Sequence, residues 1–462
     1  MKVKLALATA SALGLVMTTA ALADGNKAYV SQGGSSNSAS VSQAGGTNNQ
    51  AGRSGDAMTQ TGSNNVLTII QDGTGGQIGV ESRTDAYFTG GSTPQFTITF
   101  QGVDQTSSGS GSNTATLTQH GTGSVIGDLQ QNAASTAAGN KATATQTGAN
   151  VINHIWQTQD AGTANTNVVT AIQSGSGNVI DRVDQRATGN GTSPNTINVD
   201  ISGSNNGKIV LSNPSFYGTR AGLAGATQSA LIQNKYGSLN GVSDQNTVSG
   251  NAINLTITGS DNQYGMTQKG SDNTTGMVTI SGSNNSFGSY QAGQGNVIGA
   301  GEIAGSNNDV GVWQIGTSNS ATVSVLAFGN DYNQLSIAQG GTSNIATANI
   351  AGSFNGTGNF SGPAAGLVGN SGGALSNGSI VQGGQNWTNF SGNIATLDIF
   401  GSNNKFAIAS LGSNNEVTGK IGTSSLGGAS NGNSAAVLQN GNNNVAAFSQ
   451  TGAGTNSVAI SQ

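Results

Sequence analysis

The stretch that decides the fold is Gln32–Gln43, QGGSSNSASVSQ, which reads Gln-x-Gly-x-x-Asn-x-Ala-x-Val-x-Gln. Its closing Gln stands eleven residues after its opening Gln. The same phrase returns at 60–71, at 314–325 with Val325 in the closing position, and at 439–450. A short phrase that recurs over most of a chain indicates an array of stacked units, each of which contacts mainly its neighbours.

The composition excludes an ordinary globular domain of this length. The chain has 462 residues, but only 7% of them are charged and 5% are aromatic, and 74 are glycine. A typical soluble domain carries about 25% charged residues and about 7% glycine. Such a chain either stays disordered or orders by regular stacking that needs little apolar bulk. There is no cysteine, so neither a disulfide nor a lipid-modified cysteine is expected.

Residues 1–23 have the pattern of a secretion signal, and we expect the mature chain to begin at Asp24. Lys2 and Lys4 give a positive start, an apolar run covers 5–16, and Ala-Leu-Ala at 21–23 resembles a cleavage site. The run is too short to span a bilayer, which takes about 20 residues. Without the two lysines, 12 basic residues stand against 19 acidic ones, a net charge of −7. We therefore expect an exported protein with neither a nucleic-acid partner nor a stable membrane insertion.

Within the phrase, alternation with a period of two predicts a β-strand. Asn37, Ala39, Val41 and Gln43 would share one face, and the glycine-rich residues 33–36 would form the tight turn before it. Eleven residues then make one strand and one turn, and two such units make a rung. The predicted fold is all-β: a β-solenoid of stacked two-stranded rungs with two facing sheets and loop insertions, the rungs about 4.8 Å apart.

The spacing of the repeat is kept in some segments of the chain and lost in others. All four prolines lie in the segments where it is lost. We predict a signal peptide at 1–23, repeats at 24–73, an insertion at 74–112, repeats at 113–211, an insertion at 212–240, repeats at 241–355, a Gly/Ser/Asn-rich insertion at 356–391, and repeats at 392–462.

Gln and Asn at fixed positions would place amide above amide in successive rungs, where each can donate to one neighbour and accept from the other. Because a buried amide is costly unless it is paired, the repeat itself supplies the partner. The residues predicted to form these amide ladders, and to take part in assembly, are Gln32, Asn37, Gln43, Gln60, Asn65, Gln71, Gln146, Gln157, Gln314, Asn319, Gln439, Asn444, Gln450, Asn456 and Gln462.

The phrase resembles the curlin repeat of curli, the extracellular functional amyloid of bacterial biofilms. The resemblance implies an exported fibre subunit, a fimbrium-like surface structure, that self-associates for biofilm matrix and adhesion. It also implies three partners: a curlin-type nucleator subunit, an outer-membrane secretion pore and periplasmic accessory proteins. In the family, Gln and Asn of terminal repeats matter for seeding. The matching positions are Gln32, Asn37 and Gln43 at one end and Gln439, Asn444 and Gln450 at the other.

Two other function classes are an enzyme and a monomeric binding protein. No catalytic constellation surrounds His120 or His154, so we expect no enzyme, cofactor or metal. Trp156 and Trp313 are expected on the outward face as scattered surface aromatics. The alternative to a fibre subunit is a monomeric β-solenoid that acts as a surface adhesin or binds ice. Thr-x-Thr pairs such as Thr143/Thr145 favour ice binding, although we do not expect them to line up from rung to rung.

Overall fold

The computed structural model describes residues 14–16, 25–79, 82–86, 95–99, 103–108, 111–127, 129–134, 138–152, 155–159, 166–180, 183–187, 193–207, 231–234, 249–326, 332–383, 390–422, 431–452 and 454–462. These residues form an all-β fold, a β-solenoid of about 12 turns with one short helix. The chain divides into two compact units. The first unit comprises residues 1–205, 231–235 and 246–250, and the second comprises 206–230, 236–245 and 251–462.

Strands are numbered in chain order. The first unit contains β1 (Gly14–Val16), β2 (Lys27–Ala28), β3 (Val30–Ser35), β4 (Ser38–Gln43), β5 (Gln50–Ala51), β6 (Met58–Ser63), β7 (Val66–Gln71), β8 (Gln77–Ile78), β9 (Ser82–Ala86), β10 (Gln95–Thr99), β11 (Val103–Ser107), β12 (Thr114–His120), β13 (Leu129–Ala133), β14 (Asn140–Thr147), β15 (Thr158–Gln159), β16 (Asn167–Ser176), β17 (Val183–Ala187), β18 (Thr196–Ser204) and β19 (Leu231–Asn234). Sheet A is the parallel series β1, β4, β7, β12, β14, β16 and β18; sheet B is β3, β6, β11, β13, β15, β17 and β19.

The second unit contains β20 (Ala252–Ser260), β21 (Gln263–Ser271), β22 (Thr274–Ser283), β23 (Ser286–Gln294), β24 (Val297–Ile298), β25 (Gly301–Ser306), β26 (Asp309–Thr317), β27 (Ser320–Leu326), β28 (Gln334–Thr342), β29 (Ile345–Ala351), helix α1 (Gly362–Asn370), β30 (Ser379–Gln382), β31 (Ile394–Phe400), β32 (Lys405–Leu411), β33 (Glu416–Ile421), β34 (Ser434–Asn440), β35 (Val445–Gln450) and β36 (Ser457–Ser461). Sheet C is the series β20, β22, β24 with β25, β27, β29, β31, β33 and β35; sheet D is β21, β23, β26, β28, β30, β32, β34 and β36.

Pairing is parallel and in register, so each inward position forms a column of like residues along the stack. In sheet A one such column is Ala39, Leu67, Ala115, Ala142 and Val169, all of them buried. Small and branched aliphatic side chains suit the narrow space between two sheets about 10 Å apart. A single turn buries only a few of them, so stability depends on stacking against the neighbouring turns.

A third, short series of strands distinguishes the first unit from the predicted two-stranded rung. β2, β5 and β8 pair in parallel, and bridges continue the series through Val125, Val151 and Val179. Stacked Gln residues are accordingly 26 to 28 residues apart in this unit where no insertion intervenes, against 23 to 25 in the second. The extra residues lie in the connections between one strand pair and the next, such as 44–57, which contains β5.

The predicted insertions each contain residues that belong to the stack. In 74–112, β8 and β11 continue their sheets, and β9 and β10 pair with each other as an antiparallel hairpin. In 356–391, β30 joins sheet D after helix α1, whose first turn contains Pro363. Of 212–240, only β19 lies within the described residues, and it pairs with β17.

Candidate functional site: the amide ladders

The Gln column of sheet A is a continuous hydrogen-bonded ladder. The Nε2 atoms of Gln43, Gln71, Gln119 and Gln146 each donate to the Oε1 of the Gln in the next strand, the last to Gln173, at 2.8 to 3.0 Å. Each Nε2 also donates to a backbone carbonyl; for Gln43 this is Lys27 O at 2.9 Å. Both N–H groups of each amide are therefore used, which keeps these side chains satisfied inside the core.

Sheet B carries a second Gln column, and its direction reverses once. Gln32 donates to Gln60 and Gln60 to Gln105, but Gln157 donates backward to Gln131, as Gln185 does to Gln157. The buried Nε2 of Gln131 makes no hydrogen bond. A buried donor without a partner costs about 1–3 kcal/mol, so this position is a weak point of the first unit.

In the Asn columns each side chain donates to the preceding strand and not to the following one. Each Asn also closes and stabilises a tight turn, called the corner below. Asn65 donates from both its backbone N and its Nδ2 to Oδ1 of Asn37, at 3.0 and 3.1 Å. Its Nδ2 also bonds Thr61 O, four residues back in the same corner. The same arrangement links Asn65 to Asn113 and Asn113 to Asn140. Asn therefore fixes both the corner and the spacing of adjacent turns.

The second unit keeps one Gln column and replaces the other. In sheet D, Gln268, Gln291, Gln314, Gln339 and Gln382 bond one another at 2.8 to 2.9 Å, and Gln439 bonds Gln462 at 3.1 Å. In sheet C the corresponding column is aliphatic. It consists of Ile257, Ile280, Ile303, Val325, Ile350, Ile399 and Ile421, and it ends on Gln450.

The structure places fourteen of the fifteen predicted ladder residues in a Gln or Asn column, whereas Gln450 ends the aliphatic column of sheet C and bonds no other amide side chain. The predicted residues also differ in how far they are covered. Gln60, Asn65, Gln71, Gln146, Gln157, Gln314, Asn319, Gln439 and Gln450 are buried, as is Asn37; Gln32, Gln43 and Asn444 are half-buried, and Asn456 and Gln462 are exposed. The less covered residues lie in the first or last turns.

The predicted list omits further ladder members, among them Gln119, Gln173 and Gln291 in regular repeats and three more in irregular surroundings. Gln105 and Gln382 lie within predicted insertions, and Gln185 lies between Asp184 and Arg186 in a charged run. The available signal was Gln two residues after an aliphatic residue, as in Val103-x-Gln105 and Val183-x-Gln185. Asp181 and Arg182 lie outside the described residues.

On the outward face of sheet A, threonines form a column, contrary to the expectation that they would not line up. Thr68, Thr116, Thr143 and Thr170 are register partners in successive strands, and Thr118 is paired with Thr145. This alignment cannot be read from the sequence. The stacked Gln71 and Gln119 are 48 residues apart, and an insertion between two strands obscures which of their residues are in register. Thr68, Thr116, Thr143 and Thr170 are half-buried, and they present hydroxyl and methyl groups on this surface.

The remaining candidate residues are His120, His154, Trp156 and Trp313. His120 has a carboxylate partner, Asp72 Oδ2 at 2.6 Å from its Nδ1, and the pair is exposed on the surface. Among the described residues no group of three or more His, Asp or Glu could hold a metal. Trp156 is exposed and Trp313 is half-buried, whereas His154 lies outside the described residues. No helix in the described ranges has the length and apolar character to cross a membrane.

A comparison with family models identifies the first repeat of the chain. A family model described as "Curlin associated repeat" matches residues 23–45, which contain the Gln32–Gln43 phrase, and this confirms the resemblance seen in the sequence. No curated protein matches the chain. The repeat and the β-solenoid fold fit a curli-like or repeat surface protein.

Proposed function

With a curlin-associated repeat at residues 23–45 supporting its assignment to the curlin-repeat family, we propose that this chain is an exported structural subunit of curli-like extracellular amyloid fibres. The fibres would serve in biofilm matrix and surface adhesion. The unit of assembly would be the solenoid turn, built around two strands with loops inserted between some turns. The same proposal includes export through the signal at 1–23. It also includes contact with a curlin-type nucleator, an outer-membrane pore and periplasmic accessory proteins.

The observation that carries the proposal is the opposed direction of the Gln and Asn ladders. In sheets A and D, Gln side chains donate toward the strand that follows in the chain. Asn side chains donate toward the strand that precedes. The first turn therefore offers Gln acceptors and an Asn donor, and the last turn offers Gln donors and Asn acceptors. Copies stacked end to end in one orientation would continue both ladders.

The strand edges supply the backbone for this contact. β3 begins sheet B and β36 ends sheet D, and edge strands carry N–H and C=O groups that can pair with another chain. β1, which pairs with β4, lies in the segment predicted to be removed on export. Once that segment is cleaved, β4 would become the first strand of sheet A. Continued parallel pairing and continued side-chain ladders are the features of a cross-β filament.

The test compares two triple variants of the chain purified without residues 1–23. Replacing Gln32, Asn37 and Gln43 by Leu removes three amides from the first turn, whereas the same replacement at Ser38, Ser40 and Ser42 changes side chains that are exposed or half-buried. We expect the amide variant to assemble several-fold more slowly than the serine variant, because its neighbours lose hydrogen-bond partners. Filament growth followed by dye binding and electron microscopy measures this. Equal kinetics, or no filaments from the unaltered chain, would contradict the proposal.

A second function, ice binding by a monomeric solenoid, is favoured by the threonine column. Register places hydroxyl and methyl groups about 4.8 Å apart along the column. χ1 of threonine is restricted, so such a surface is pre-ordered. Thermal hysteresis that disappears when Thr116 and Thr143 are replaced by Lys, in a chain that stays monomeric, would support this function over the fibre. Unchanged freezing behaviour on those replacements would exclude it.

A further inference from the structure

Two aromatic side chains lie on the corners of the second unit, where the adjacent turns carry short polar residues. Tyr332 and Phe354 directly precede the ladder residues Asn333 and Asn355, which are bonded to each other. The two rings are stacked, with centroids 5.2 Å apart and planes 10° from parallel. Tyr332 is nevertheless 46% exposed and Phe354 39% exposed. Burial inside the solenoid therefore does not account for the presence of these rings.

The backbone at both positions disfavours an aromatic residue. Tyr332 has φ +47° and Phe354 has φ +60°, in the left-handed region where a bulky side chain is an outlier. In the preceding and following turns the same corner position is occupied by Asn307 and Asn403, and Asn tolerates this conformation better. Backbone strain of this kind is concentrated at functional sites. The folding of the chain would favour Asn at both positions, so the rings point to a ligand.

The two rings are part of a row of side chains that follows the solenoid, called the corner ridge below. Its members each precede a ladder Asn, have φ between +47° and +60°, and come from successive turns: Asp261, Asn284, Asn307, Tyr332, Phe354 and Asn403. Neighbouring members are about 4.8 Å apart. The side chains of Asn284, Asn307 and Asn403 make no hydrogen bond within the described part of the chain, and all three are exposed or half-buried. Their amides are therefore available to a ligand.

The chemistry of the corner ridge fits a carbohydrate. The C–H face of a pyranose ring packs on an aromatic face, and its hydroxyl groups both donate and accept hydrogen bonds. A side-chain amide also does both, so it can bind such hydroxyls. In a stacked pair the inner faces cover each other, whereas the outer face of Tyr332 is turned toward Asn307, whose side chain is shorter than the ring. An aromatic face beside a few polar groups is typical of a small-molecule or sugar subsite.

We propose that the corner ridge binds a neutral polysaccharide that lies along the solenoid. One sugar stacks on the outer face of Tyr332, and the following sugars bond the amides of Asn307 and Asn284. Phe354 supports the Tyr332 ring on its other side. Of the members of the ridge only Asp261, at its end, carries a charge, and this favours an uncharged ligand. The proposal goes beyond the fibre subunit and does not depend on assembly.

Calorimetric titration of the purified, soluble chain with cellohexaose and with maltohexaose tests this site. We expect at least one of these glucose hexasaccharides to bind, and glucose alone to bind at least about tenfold more weakly, because a single sugar reaches only one or two turns of the ridge. In the variant Tyr332→Asn/Phe354→Asn each ring is replaced by the residue that the adjacent turns carry. The variant should therefore unfold at a denaturant concentration no lower than the unaltered chain, yet its affinity for the hexasaccharide should fall at least about tenfold.

The matched control is Ile345→Asn/Ile394→Asn, which removes two apolar side chains of similar exposure, 44% and 39%, from the outward face of sheet C. Its affinity should equal that of the unaltered chain. Binding of neither hexasaccharide, equal binding of glucose, unchanged affinity of the ring variant, or an equal loss in the control would overturn the proposal. A ring variant that changes only the oligomeric state would also overturn it, because the rings would then form a contact between copies. Each of these outcomes would leave the proposed fibre subunit standing.

Discussion

At the scale of single residues, the corners restrict which side chains the repeat can use. Gly282 has φ +99°, and a Cβ there would lie 2.0 Å from Gly305 O in the corner of the next turn. Two residues on, Asn284 has φ +56°, in the left-handed region that Asn tolerates better than most residues. Asn285 then closes the corner and joins the ladder. The Gly-x-Asn-Asn spacing of the corner thus follows from backbone strain and close approach of the turns, together with hydrogen bonding.

Replacing Gly282 by Ala should lower the free energy of unfolding by about 1–3 kcal/mol or more, because it combines an unfavourable φ with a backbone clash. The control is Gly366→Ala in helix α1, where a Cβ would meet no atom within 4 Å. That change should be neutral or stabilising by up to about 1 kcal/mol, since Ala favours the helix. Chemical denaturation of both variants measures the difference. A Gly282→Ala chain as stable as the control would refute the account of the corners.

Tyr290 offers a prediction about pH. It packs edge-on against Trp313, with ring centroids 5.6 Å apart, and burial raises its pKa from 10.0 to about 12. Its hydroxyl makes no hydrogen bond. Below pH 10 the folded and unfolded chains both hold the proton, whereas between about pH 10 and 12 the unfolded chain alone releases it. Stability should therefore fall as pH rises through this window.

Tyr290→Phe should remove that contribution. We expect the unfolding midpoint of the unaltered chain to fall more than that of the variant between about pH 9 and about pH 11.5. Every other titrating group is common to both chains, so their difference isolates Tyr290. If the unfolding midpoints of the two chains change with pH in parallel, then burial does not disfavour ionisation of this hydroxyl.

At the scale of elements, helix α1 secures the last strand. Ala364 of the helix is fully buried in a cluster with Ala407 and Ala436 on the outward face of sheet D. Ser457 in β36 accepts a hydrogen bond from Ala364 N at 3.0 Å and donates one to Ser361 O at 2.7 Å. An inserted segment therefore covers apolar surface and holds β36 in place, where it has one neighbouring strand in sheet D.

Ala364→Glu should detach the helix, because it places a charge among alanine side chains. We expect backbone amides of β36 to exchange hydrogen at least tenfold faster in the variant. Ala365→Glu introduces the same charge at the next, half-buried helix position and should leave that exchange close to that of the unaltered chain. Equal protection of β36 in both variants would mean that the helix does not hold the strand.

The elements also show how far the sequence could predict the structure. Period-two alternation was sufficient to predict strands such as β4 and β7 with inward Gln and Asn, but it did not predict which turns stack, such as the pairing of Gln43 with Gln71. The short β2, β5 and β8 series was missed because two-residue strands leave no periodic signal. The threonine column was missed because the sequence does not show which residues of an insertion lie outside the stacked strands, and the register of the next strand depends on that. The helix in 362–370 lies in a segment without charge or strong apolar periodicity, so its docking on alanines was not predictable.

At the scale of the whole molecule, stability and the proposed assembly would result from the same kind of contact. Each turn is stabilised by the turns beside it, through backbone pairing, aliphatic columns and amide ladders. A second copy could use the same three interactions at β35 and β36, so the proposed fibre needs no new kind of interface. With 7% charged residues, little electrostatic repulsion opposes that contact.

Fibre diffraction from the chain purified without residues 1–23 would show whether the turns stack end to end along a filament. If the solenoid turns stack end to end, aligned filaments should give a reflection near 4.7–4.8 Å along the fibre axis and one near 10 Å across it. The first spacing would come from successive turns within and between copies, and the second from the facing sheets. A protein that remains monomeric at micromolar concentration, or filaments whose 4.7–4.8 Å reflection lies across the axis, would contradict axial assembly.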